Sequence, residues 1–131
     1  MTITEFLLAR IAEDEAAALP FRNDLGETKQ WQCDEIGGAV RYVGPRPFGL
    51  PDLLATCGIH AEAAHIARHD PARVLAECAA KRAIIANSAD AQPGYMDDRS
   101  WNGFSSCHDD ALYALAAVYA DHPEYRQEWA V

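Results

Sequence analysis

The chain has 131 residues and a mass of 14.4 kDa, half of them hydrophobic, which is enough for one domain with a modest, alanine-rich core. Eleven lysines and arginines against twenty aspartates and glutamates leave a formal charge of −9, excluding the clustered positive charge that direct DNA or RNA binding needs. No apolar run approaches the roughly 20 residues of a membrane span, and the start, Met1-Thr-Ile-Thr-Glu-Phe6, lacks a secretory leader's basic and apolar regions, so cytoplasmic residence is expected.

Thr2 and Glu5 have the spacing of a capping box, in which each side chain satisfies the other residue's backbone amide. Ile3, Phe6, Leu7 and Ile11 then recur at helical spacing, predicting an amphipathic helix to about Ala18 with Glu13-Asp14-Glu15 on its solvated side. From Lys29 the period changes to two. Trp31 and Cys33 share one face, Gly37-Gly38 is a turn signal, and Ala39–Val43 is a second strand, together a hairpin. Gly44-Pro-Arg-Pro-Phe-Gly49 cannot continue a central strand, because two prolines remove ladder donors. Leu53–Cys57 is expected to return as a third short strand, and such a small sheet must pack on the helices.

Asp70-Pro71 is both a helix stop and a helix start. A proline pushes the residue before it out of the α region and itself suits the first helical position, while an aspartate caps the free amides that follow. One helix is therefore expected over about Ala61–His69 and a longer one over Pro71 to about Ala89, with Val74, Leu75, Cys78, Arg82 and Ile85 sharing a face. Residues Ala91 to Phe104 contain Pro93-Gly94 and Asn102-Gly103 and are expected to form a loop carrying Tyr95, Trp101 and Phe104. Ser106 and Asp109 repeat the capping pattern, so a last helix should open there and run to about Ala120, closed by His122-Pro123, with Trp129 folding back.

The stretch His65-Ile-Ala-Arg-His-Asp-Pro-Ala-Arg-Val-Leu-Ala-Glu-Cys-Ala-Ala-Lys-Arg82 and the ending Tyr119-Ala-Asp-His-Pro-Glu-Tyr-Arg-Gln-Glu-Trp129 resemble a family of small uncharacterised proteins of actinobacteria and their phages, a domain of unknown function. The resemblance implies an origin and a fold skeleton, and no activity.

Several residues could carry chemistry. Cys57-Gly-Ile-His60 and Cys107-His108 are two pairs of zinc-type ligands, which together would make a tetrahedral site. Against that reading, no Cys-x-x-Cys occurs, and adjacent Cys107 and His108 reach one ion only with difficulty. His65 and His69 stand at i,i+4 on one helix face, without the glutamate that a metalloprotease helix places after the first histidine. No phosphate-cradling loop is present, since Gly37-Gly38 lacks a following helix and lysine. Tyr95, Trp101 and Phe104 in the loop, with Tyr125 and Trp129 in the tail, are aromatic types enriched at interface hot spots.

The expected fold is α+β: an N-terminal helix, a small antiparallel β-sheet of two or three strands, then three helices in a single domain over residues 1–131. The expected function is that of a non-enzymatic, phage- or prophage-related accessory protein that binds a host protein through Tyr95, Trp101, Phe104, Tyr125 and Trp129, with no nucleic-acid or membrane partner. The alternatives are a small metal-dependent or thiol enzyme, or a structural zinc domain, using Cys57, His60, Cys107 and His108. Alanine-rich faces on the long helix also suit a homodimer.

Overall fold

The structure, a computed structural model, describes residues 1–19, 30–44, 49, 51–89 and 98–131, excluding the side chains of residues 88, 89, 98–102 and 104. It is α+β. Helix α1 (Ile3–Ala18) precedes strands β1 (Trp31–Cys33), β2 (Ala39–Tyr42) and β3 (Leu53–Thr56); α2 (His60–Arg68), α3 (Pro71–Ala89) and α4 (Asp98–Ala117) follow, with a 3-10 turn at Gln127–Trp129. The chain divides into two compact units, with boundaries inside α1 and α3. Asp14–Cys78 forms a sheet unit, and Met1–Glu13 with Ala79–Val131 forms a tail unit.

In the sheet unit the strands lie in the order β1-β2-β3, antiparallel throughout, with Trp31 opposite Tyr42 and Cys33 opposite Val40. A bulge between Val40 and Arg41 shifts the register so that Arg41 pairs with Leu53. The turn between β1 and β2 needs a glycine at position 38. Its φ is +63°, and a Cβ there would stand 2.6 Å from the Cys57 carbonyl oxygen. That close approach lets Cys57 N–H donate to Gly38 O at 2.7 Å and draws the end of β3 against the turn.

Helix α2 packs on β1 and β2. Ala63 and Ala67, small and four residues apart, let the helix approach the sheet closely around Val40, and Trp31, Cys33, Leu54 and Ile66 close the cluster. Asp70 then makes the corner. Its Oδ1 accepts Arg73 N–H at 2.8 Å, the N-cap bond expected from Asp70-Pro71, and its Oδ2 accepts Trp31 N–H at 3.2 Å.

In the tail unit the Thr2–Glu5 capping box forms: Thr2 N–H donates to Glu5 Oε2 at 2.6 Å and Glu5 N–H to Thr2 Oγ1 at 3.2 Å. The Thr2 amide and hydroxyl hold the Glu5 carboxyl below the usual carboxylate range. Phe6 is fully buried and is ringed by Tyr119, His122, Tyr125 and Trp129, the Trp129 ring centre 5.0 Å away. Trp129 folds back, as its position in the tail suggested.

Two expectations are corrected here. Helix α4 begins at Asp98, not near Ser106, so Trp101 and Phe104 belong to a helix and not to a loop. Gly103 costs a helix interior only about 1 kcal/mol, which is not enough to break it. Ser106 and Asp109 are therefore exposed one-turn neighbours on the α4 surface. The helix also stops at Ala117, short of Ala120. The chain tightens there into i→i+3 bonds, Tyr119 N–H to Ala116 O at 2.9 Å and His122 N–H to Tyr119 O at 3.0 Å, which use carbonyls that a helix end leaves free.

Candidate functional site

The aromatic residues expected at a surface divide three ways. Tyr95 lies outside the described residues, as do the side chains of Trp101 and Phe104. Tyr125 is half-buried, and Trp129 is only 5% exposed, packed at a tilt against Phe6 and edge-on to Tyr125. Trp129, expected to fold back and also named as a partner contact, is core. Large aromatics fill the end of a thin alanine-rich core because each brings the apolar area that alanines lack.

Arg10 holds the same end of the tail unit and was not singled out from the sequence. Only 6% exposed, it donates from Nη1 to His122 Nδ1 at 2.7 Å and to Glu124 Oε2 at 2.9 Å, and from Nη2 to Glu13 Oε1 at 2.7 Å. Burial opposes its charge, yet the bonds to Glu124 and Glu13 outweigh burial and raise its pKa. A guanidinium only donates, so His122 Nδ1 is the acceptor; Glu124 N–H also donates to it at 3.1 Å. One sequence signal pointed to this network: an arginine one turn beyond Phe6, beside the apolar stripe.

The candidate ligands fall in separate units, Cys57 and His60 in the sheet unit and Cys107 and His108 in the tail unit. In the sheet unit, His60 Nδ1 donates to Asp34 O at 3.0 Å, bringing the start of α2 to the β1–β2 turn. Cys57 is half-buried under the same connection, and all four cysteines are free thiols. Among the described residues, no three His, Cys, Asp or Glu side chains cluster as ligands. His65 and His69 share a face of α2, their ring centres 4.4 Å apart.

The arrangement best suited to contact with another molecule is at this end of the sheet unit. The β1–β2 turn and the β3–α2 connection are joined by the Cys57–Gly38 and His60–Asp34 bonds, and each presents an isoleucine to solvent: Ile36 is 94% exposed and Ile59 59%. An open, mostly apolar groove of about 700 Å³ adjoins the β3–α2 connection, walled by Cys57, Ala61, Glu62, His65 and Ile66. Ile59 has no side-chain acceptor to cap α2, so Glu62 reaches back and takes the amides of Gly58 at 3.1 Å and Ile59 at 3.4 Å. On the sheet, Arg41 bonds Asp34 at 3.2 Å and Asp52 at 2.9 Å, stiffening the hairpin, and these carboxylates raise its pKa, Asp34 first.

The sequence did not mark Ile36 or Ile59 as a surface. Its one cue was an apolar residue directly before Gly37-Gly38, where a turn favours polar side chains. No helix among the described residues is long and apolar enough to cross a membrane. No curated protein matches the chain, and neither does any solved structure. One family model does match, over residues 1–131 and so over the whole length with both units, and the chain accordingly belongs to the family of unknown function DUF6221.

Proposed function

We propose that the chain is a non-enzymatic binding module, a phage- or prophage-related accessory protein whose sheet unit docks a host protein. The observation that carries this reading is the pair Ile36 and Ile59, exposed on two hydrogen-bonded turns, the second of which borders an apolar groove. Single exposed apolar residues are ordinary, but two large ones on hydrogen-bonded turns, one of them bordering a groove, offer apolar surface whose burial a partner would reward. Each isoleucine removed from water contributes about 1.5–3 kcal/mol at full burial. Glu35 and Glu62 are exposed beside the same turns, and the whole chain carries −9, so the complementary partner segment is apolar and basic. The proposed interface thus lies on the sheet unit, whereas Trp129 serves the core.

The test compares capture of host proteins by the unmodified chain and by the Ile36→Asp, Ile59→Asp double variant, after matching their circular dichroism and melting temperatures. The reading predicts one host protein retained near stoichiometrically by the unmodified chain and lost from the variant. Equal retention by both chains, or none by either, refutes it.

A further inference from the structure

Near the C-terminal end of α2, two exposed histidines lie one turn apart, with ring centres 4.4 Å apart and planes at 41°. His69 Nδ1 is 2.9 Å from the carbonyl oxygen of His65. A carbonyl can only accept, so Nδ1 carries the proton and Nε2 of His69 holds the free lone pair. A ring whose far nitrogen is fixed by a backbone carbonyl is the support that metal-ligating histidines use. The i,i+4 spacing puts the second imidazole on the same helix face. Two zinc–nitrogen bonds of about 2.0–2.1 Å at a tetrahedral angle separate their nitrogens by roughly 3.3 Å, within reach of rings this close.

The surroundings also favour a cation. These residues occupy the last turn and cap of α2, where the negative end of the helix dipole lies, and the chain carries −9. Arg68 lines a second open pocket, the one that His65 and His69 share, and is the one opposing charge among its walls. Glu62, one turn before His65, has Oε2 committed to the Gly58 and Ile59 amides.

We propose that His65 and His69 form a two-imidazole binding site for zinc or a similar borderline divalent transition metal. Among the described residues no third ligand joins them. The ion therefore keeps positions for water or for a donor from another molecule, as exchangeable sites do and closed structural sites do not.

The test is calorimetric titration of the untagged full chain with zinc chloride, beside His65→Gln, His69→Gln, His60→Gln and Cys57→Ser. One saturable site is expected, weakened about tenfold or more in either of the first two variants and kept in the other two. In the unmodified chain, zinc should shift the ring resonances of His65 and His69 and leave those of His60 and His108 in place, a readout that needs no variant to fold. No saturable binding, binding kept in both His65→Gln and His69→Gln, or loss in Cys57→Ser overturns the proposal.

Discussion

Asp70 and Trp31 are joined across 39 residues by one bond, the Trp31 amide to Asp70 Oδ2 at 3.2 Å, while the same carboxylate caps α3 through Arg73 N–H at 2.8 Å. Trp31 begins an edge strand, so its outward amide needs a partner from elsewhere, and the α2–α3 corner supplies it. Asp70→Ala removes the cap and strands that amide together. The expected cost is about 1–2 kcal/mol by urea denaturation, with faster exchange of the Trp31 amide. Asp70→Asn should retain most of the stability. If Asp70→Ala leaves both readouts unchanged, the corner is not held this way.

Gly38 and Gly37 make an internal comparison. At Gly38 an added Cβ meets the Cys57 carbonyl at 2.6 Å with φ at +63°, and at Gly37 it meets nothing within 4 Å. Gly38→Ala should cost about 1–3 kcal/mol through strain and loss of the Cys57–Gly38 bond. Gly37→Ala should stay within about 0.5 kcal/mol of the parent. Equal melting temperatures for the two variants would contradict the turn geometry.

Trp129→Ala tests the tail as core. The indole is packed on Phe6 and Tyr125, so truncation should cost about 3 kcal/mol or more in equilibrium unfolding. Host-protein capture should survive at temperatures where the variant remains folded. A fully stable variant that loses capture would restore Trp129 as a contact residue.

The capping box makes the start of α1 sensitive to acid. Glu5 is held below the ordinary carboxylate range, chiefly by the Thr2 amide and then by its hydroxyl. A carboxyl lowered on folding stabilises the fold above its unfolded pKa, and that contribution disappears as pH falls through the folded value. Amide exchange in the first turn of α1 should therefore accelerate in acid beyond its intrinsic pH dependence, and Glu5→Gln should abolish the excess. A Glu5 carboxyl that titrates by NMR in the ordinary range would contradict this.

Much of the fold was legible because local rules and tertiary packing agree. Thr2 and Glu5, Gly37-Gly38 and Asp70-Pro71 each act within a few residues, and the elements they bound form where those rules place them. The start of α4 was not legible because Ser106 and Asp109 look the same at a cap and on a solvated helix face, and only neighbouring packing distinguishes them. The Arg10–His122–Glu124 network joins residues more than 110 positions apart, so a local pattern marks Arg10 and not its partners. Ile36 was hidden for a related reason. Its type suits a strand interior, and only the hairpin register reveals that it lies in the turn.

The most direct measurement of the central claim is site-specific photo-crosslinking in host cells, with a photoreactive side chain replacing Ile36, Ile59, Leu8 or Val118 in turn. All four positions are exposed and apolar, and only the first two lie in the sheet unit. A covalent adduct to one host protein from positions 36 and 59, absent from 8 and 118, is the predicted result. Adducts confined to positions 8 and 118, or none at any position, would contradict the account.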